Sequence, residues 1–274
     1  MKHKVSRFAG RAMLWAGAFG WAIGANAYPT QSPFWGPTGL GSIPTTDTVP
    51  ANEFEAGLSY EKISPTGADV RQFPTATATY GLKNGEIGVA YDRERTEFPG
   101  LTFKNDYRAA HAKWRLLGKP GGAQAAVGVH YLDFGDVPGH VTTYYATGSL
   151  PLLKGKRGPR FIGHLGVMHN RITGGAPANE TRPMAGLEWR AGHNCVIAGD
   201  YIWKKGQASS ISSLIARYQW PCGLTAQVGV GQFRGDDNRF LAGVSYRFNW
   251  KGLGPDDTLF GKSSTRDAAK ETKR

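Results

Sequence analysis

Seven histidines and the hydroxyls near them are the side chains best placed to do chemistry in this sequence. A hydrolytic site would need a serine nucleophile and a histidine base within reach of one another. On a β-strand that spacing is His-x-Ser, because alternate residues share a face. Five of the histidines stand instead in His111-Ala112-Lys113, His130-Tyr131-Leu132, His140-Val141-Thr142, His164-Leu165-Gly166 and His169-Asn170-Arg171. Only His140-Val141-Thr142 keeps a hydroxyl at the right offset, and one such match is weak. His164 and His169 fall on opposite strand faces, so they cannot share a metal ion. Gly39-Leu40-Gly41 and Gly229-Val230-Gly231 are glycine-rich, but neither opens a helix, which a phosphate-cradling loop requires. The expectation is no catalytic residue, no metal and no cofactor.

A larger set of charged residues shares one parity of alternating segments. It comprises Glu55, Glu61, Asp92, His111, Lys113, Arg115, His130, His164, Glu188, Arg190, Asp200, Arg217, Arg239 and Arg247. Acids and bases are close to balance. If this face lines a lumen, two readings are open. Opposite charges pair and fill the space, since an isolated charge in a partly dry lumen is costly. Alternatively, the arginines and Lys113 line a small pore that attracts anions.

The elements that would hold these residues are strands. In Phe54-Glu55-Ala56-Gly57-Leu58-Ser59-Tyr60-Glu61, apolar and polar residues alternate with period two. The pattern returns in about twelve segments, near 52–62, 71–82, 85–94, 105–117, 121–133, 140–152, 159–170, 181–191, 194–204, 211–220, 223–233 and 238–250. Their length suits a tilted strand crossing a bilayer, which takes roughly 9–11 residues. Connections after even segments are short, as at Asn84-Gly85 and Pro221-Cys222-Gly223, apart from a somewhat longer one at 153–158. Those after odd segments are longer, as at 95–105, 134–140, 173–181 and 204–210. A soluble sandwich has no reason to sort its loops by parity; an outer-membrane barrel does.

The aromatic residues point the same way. Tyr60, Tyr91, Tyr131, Tyr144, Tyr201, Trp203 and Phe240 fall at one end of the segments. Phe54, Tyr80, Trp114, Phe161, Trp189, Tyr218, Trp220, Phe248 and Trp250 fall at the other. Between them the same face carries small aliphatic residues such as Ala56, Leu58, Val127, Leu165, Ala216 and Val244. Two aromatic girdles around a plainer band mark a lipid-facing surface.

The ends of the chain bear on export. Lys2, Lys4, Arg7 and Arg11 precede an apolar run of about a dozen residues and the small-x-small site Ala25-Asn26-Ala27. These are the three regions of a cleaved secretory signal peptide. Later in the chain nothing approaches the roughly 20 apolar residues of a membrane helix, and mean hydropathy is −0.38. The net charge of +12 includes those four leader charges. Basic character favours anionic partners, but no nucleic-acid module is present. Cys195 and Cys222 in an exported chain read as one disulfide. The stretch 251–274 is charged and poor in apolar groups, which reads as a disordered tail.

Thr38, Gly39, Leu40, Pro44, Thr45, Pro50, Glu53, Phe54, Gly57 and Tyr60 form a pattern. It resembles the start of a bacterial outer-membrane barrel group that includes proteins associated with exopolysaccharide export and biofilm formation. The resemblance covers about a tenth of the chain. It implies a barrel accessory to polysaccharide export. The residues themselves give an all-β chain: an antiparallel up-and-down transmembrane β-barrel of about twelve strands, between ten and fourteen. The expected plan is a signal peptide 1–27, a periplasmic leader or lumen segment 28–51, the barrel 52–250 and a periplasmic tail 251–274. The expected function is non-enzymatic, in the outer membrane of a didermic bacterium. Outer-membrane lipid and the barrel assembly machinery are the expected partners, with polysaccharide or an anionic solute as cargo. A small anion-favouring channel and a soluble secreted β-protein are the alternatives.

Overall fold

A computed structural model describes residues 37–249, apart from short stretches at 65–69, 99–100, 119–121, 136–137, 156–157, 174–177, 192–193, 204–209 and 234–236. The expected signal peptide, the first part of the leader, Trp250 and the tail lie outside the described residues. Twelve strands follow one another in order. They are β1 (Glu53–Ser64), β2 (Val70–Leu82), β3 (Gly85–Phe98), β4 (Leu101–Leu117), β5 (Gln124–Asp133) and β6 (His140–Gly155), then β7 (Gly158–Thr173), β8 (Ala178–Arg190), β9 (Cys195–Ile202), β10 (Ile211–Gln219), β11 (Leu224–Phe233) and β12 (Asp237–Asn249). Each pairs antiparallel with its neighbours, and β12 closes on β1 from Glu53↔Asn249 to Ser64↔Asn238. This is a closed all-β barrel with no free edge, which leaves no unpaired backbone row for lipid to meet.

The barrel is inverted relative to a soluble protein. Leu58, Leu165 and Leu117 are 64, 70 and 69% exposed on the outer wall. Ile87, Val89, Leu187, Leu214, Val228 and Val244 are exposed with them. Rings cluster at both ends of that wall. Phe54 with Phe248, Phe161 with Trp189, and Tyr218 with Trp220 pair at the end that holds the short turns. Tyr201 with Trp203 and Tyr131 with His140 pair at the other.

Strand runs into three of the expected connections. The segment 95–105 reads as a loop, yet β3 and β4 stay paired out to Phe98↔Leu101. Residues 178–181 likewise belong to β8, paired with β7 out to Ile172↔Ala178, and β6 and β7 stay paired out to Gly155↔Gly158, with bulges that shift the register at Pro151 to Lys154. Charged residues on both faces hide such extensions. Arg93 and Asp106 bridge across β3–β4 at 2.9 Å, both partly exposed. A strand wetted on both sides has no hydrophobic period to read.

The expected disulfide does not form. Cys195 and Cys222 are both free. The register sets Tyr218, not Cys222, opposite Cys195. Cys222 lies beyond the end of β10, exposed in the turn to β11.

Candidate functional site: the barrel interior

Inside the barrel lies a segment that precedes β1. Residues 37–41, 43–46 and 49 are buried. Leu40 N–H donates to Ile43 O at 3.0 Å and Thr45 N–H to Thr38 O at 3.2 Å, closing a small hairpin with Gly41 and Ser42 at its tip. A Gly39↔Pro44 bridge joins its arms.

The two arms of this hairpin meet at Glu86. That carboxylate accepts from Thr38 N–H at 2.7 Å, from Thr38 Oγ1 and from Val49 N–H at 2.9 Å. Lys113 Nζ stands 3.0 Å from Glu86 Oε1 and donates to Thr38 O at 2.7 Å. Both Glu86 and Lys113 are sealed from solvent. A charge here without its partner would carry an uncompensated desolvation cost of several kcal/mol.

Other strands hold the rest of the hairpin. At the tip, Ser42 N–H donates to Asp200 Oδ2 at 2.7 Å, and Arg239 Nη1 donates to Ser42 Oγ at 2.5 Å. Arg217 Nη2 donates to Gly39 O at 3.0 Å. On the returning arm, Thr46 Oγ1 donates to Ser149 Oγ at 2.7 Å, and Asp47 lies 3.8 Å from Arg190. Two glycines make the close fit possible. A Cβ at Gly186 would come 2.4 Å from Leu40 Cδ1, and one at Gly41 would come 2.0 Å from Ser213 Oγ.

Of the fourteen residues read from sequence as lumen-facing, twelve are buried: Glu55, Glu61, Asp92, His111, Lys113, His164, Glu188, Arg190, Asp200, Arg217, Arg239 and Arg247. Arg115 and His130 are half-buried. Pairing is extensive. Arg239 meets Glu61 at 2.5 Å, Arg247 meets Glu55 at 3.0 Å and Arg190 meets Glu188 at 2.5 Å. Asp92 accepts from Thr75. Arg115 reaches Gln124 Oε1 at 3.4 Å.

Sequence reasoning passes over several interior groups. Glu86 looks like part of the Asn84-Gly85 turn, although its parity matches that of Asp92. Arg182 is buried too and donates to Trp203 O at 2.9 Å. With these two, the described interior holds six buried acids (Glu55, Glu61, Glu86, Asp92, Glu188, Asp200) and six buried bases (Lys113, Arg182, Arg190, Arg217, Arg239, Arg247). Ser149 Oγ lies 2.8 Å from His164 Nδ1, and His164 Nε2 lies 3.9 Å from Glu188. A His-x-Ser search misses this trio because the residues come from three neighbouring strands. All three are buried, and Thr46 of the hairpin caps Ser149, so the geometry anchors the hairpin instead of presenting a nucleophile. Among the described residues, no three metal-binding side chains come together.

The interior is not polar throughout. Leu40 and Ile43 of the hairpin pack with Met184, Val196, Ala198, Ile215 and Leu241. β9 is largely apolar on both faces, and Asp200 alone marks its inner side.

No protein-family model matches the chain, and no curated protein matches its sequence. Solved structures do match in fold. The KdgM porin superposes with a TM-score of 0.51 at 12% identity, covering 70% of this chain and 99% of that one. The KdgM porin in complex with disordered oligogalacturonate gives 0.53 at 12% identity over 71% and 99%. An outer membrane channel from Pseudomonas putida F1 gives 0.51 at 10% identity over 74% and 98%. The chain therefore has the architecture of the outer-membrane β-barrels: twelve antiparallel strands, oily outside and charged within.

Proposed function

We propose that the protein is a non-enzymatic outer-membrane β-barrel, exported by its N-terminal leader and closed at rest by its own hairpin, residues 37–49. The observation that carries this reading is the hairpin's attachment to the wall through Glu86, Lys113, Ser149, Arg190, Asp200, Arg217 and Arg239. A segment bonded to seven strands leaves the lumen blocked, and it would have to leave for solute to pass. The apolar outer wall weighs against a soluble secreted protein, because so large an exposed apolar surface would aggregate in water. The role in exopolysaccharide export is part of this proposal. It is supported by the resemblance at Thr38 to Tyr60, whose first half is the hairpin itself.

Planar-bilayer recording tests the reading. The full chain should carry no steady current, and deletion of residues 37–49 should open one. Equal current from both proteins would refute closure by the hairpin. Silence from both would leave a filled, structural barrel. Heat-modifiable gel migration and recovery in the outer-membrane fraction test the location.

A passive channel favouring anions is the second reading. It draws on the buried arginines and on a fold neighbour solved with oligogalacturonate. The equal count of interior acids and bases weighs against it. Replacing Arg217 and Arg247 should lower anion preference in the hairpin-deleted barrel if that reading holds, and unchanged selectivity rejects it.

A further inference from the structure

Past the aromatic ring at the long-connection end, β3 and β4 run on as a paired ribbon out to Phe98↔Leu101. Charge is sorted between its two faces. The inward face carries Asp92 and Glu94, with Tyr107 Oη donating to Glu94. The outward face continues the oily wall upward from Val89 and Tyr91. It carries Arg93, Arg95, Lys104 and Arg108 against only Glu97 and Asp106. Water on both sides would not separate the charges in this way.

Cations on the outward face outnumber their partners. Arg93 meets Asp106 at 2.9 Å and donates to Tyr91 Oη at 3.1 Å, and Arg95 Nε meets Glu97 at 2.9 Å. Exposed pairs of this kind hold their members weakly. Lys104 and Arg108 are exposed and make no ion pair among the described residues. Asp133 stands opposite Arg108 on β5, but its carboxylate accepts from Gly135 N–H at 3.1 Å. The register sets Arg95 directly opposite Lys104. Like charges so placed repel, and an anion between them would remove the repulsion. The same row of the sheet continues through Gln72 of β2 to Lys62 of β1. That puts a third cation on this face, about 10 Å from Arg95 at the usual strand spacing.

The depth suits a lipid headgroup. Arg95 lies about 10 Å beyond Tyr91 for a strand tilted by about 40°. The headgroup layer is roughly 5–8 Å deep on each side of the hydrocarbon, and long basic side chains reach across such a gap. Arginine also presents a fork that matches phosphate oxygens.

We propose that the row Lys62, Arg95 and Lys104 binds a membrane lipid whose headgroup carries two phosphates. One phosphate lies between Arg95 and Lys104, and the other meets Lys62. The inference rests on the outer-membrane reading for the lipid's presence, and it is independent of closure by the hairpin.

The test uses the full chain in a neutral detergent, with heat-modifiable migration confirming that it and each variant are folded. Diphosphoryl lipid A, monophosphoryl lipid A and phosphatidylcholine are the probes, and native mass spectrometry reads the lipid retained. Diphosphoryl lipid A should be kept about ten-fold better than either of the others, the gain from one further charge-assisted contact. Arg95→Gln and Lys104→Gln should each lower its retention about ten-fold. Lys62→Gln should erase the preference for the second phosphate. Arg171→Gln removes another exposed outward arginine, on β7, and should change nothing. Equimolar pyrophosphate should not displace the lipid. The proposal falls if diphosphoryl lipid A is kept no better than phosphatidylcholine, or equally well in folded Arg95→Gln or Lys104→Gln. It falls too if Arg171→Gln loses as much, or if pyrophosphate displaces the lipid, which would make this a site for free phosphate. A chain that shows no heat-modifiable migration fails the barrel reading itself; a folded barrel that keeps no lipid fails this inference alone.

Discussion

Glu86 and Lys113 show what a buried pair does in this barrel. Each is sealed from solvent, and Thr38 of the hairpin bonds to both. Removing one partner should hurt more than removing both, because a lone charge keeps its desolvation cost. Lys113→Met should destabilise the folded barrel by about 3–5 kcal/mol, and Glu86→Gln/Lys113→Met by less. Urea unfolding in lipid vesicles measures both, and equal losses would mean that the pair does not act as a unit. The free thiols give a second check. Cys222 is exposed in the β10–β11 turn, so a maleimide should label it in the folded protein without prior reduction. With a membrane-impermeant reagent, labelling should occur only after the outer membrane is opened, since that turn lies at the short-turn end.

Single elements decide how the barrel meets its two environments. β1 presents Leu58 to the outside, 64% exposed among aliphatic neighbours. Leu58→Arg should cost about 2–4 kcal/mol if this face lies at the bilayer midplane. A soluble barrel would barely notice the change, so unfolding of this variant in vesicles separates the two environments. β8 presents Gly186 to the hairpin, and a side chain there would meet Leu40. Gly186→Val should strain that contact by about 1–3 kcal/mol. Increased single-channel opening relative to the parent protein is the expected result, and unchanged silence would show that the hairpin tolerates the intrusion.

These elements also show what the sequence discloses. Where one face meets hydrocarbon and the other meets charge, as in β1 and β12, alternation reveals strand, face and girdle together. Where both faces meet water, as at the tips of β3–β4 and β7–β8, the period vanishes and strand reads as loop. Where both faces are largely apolar, as in β9, a single charge, Asp200, marks the inner side. The hairpin itself has no periodicity at all. Its Gly-Pro-Thr composition is equally compatible with a free leader, and only its partners on seven distant strands hold it inside. Glu86 is concealed by a turn motif, and the Ser149–His164–Glu188 trio by the need for register.

At the scale of the whole molecule, closure joins the two ends of the described chain. β1 pairs with β12 along its entire length, and the hairpin sits immediately ahead of β1. Only Pro50, Ala51 and Asn52 separate Val49 from the first strand. Asn52 takes a positive φ of 65° there, a conformation that asparagine tolerates better than most residues, and its N–H donates to Gly81 O at 2.9 Å. The turn into the barrel is thus pinned to the mouth.

Under the proposed closure, a hairpin on so short a leash never dilutes into its surroundings. Its effective concentration at the mouth stays on the order of millimolar or above, so every departure is followed by rapid return. Unblocked intervals would be brief flickers and not lasting states. A detached peptide of the same sequence, added at micromolar levels, would lose the contest for the vacancy by mass action alone.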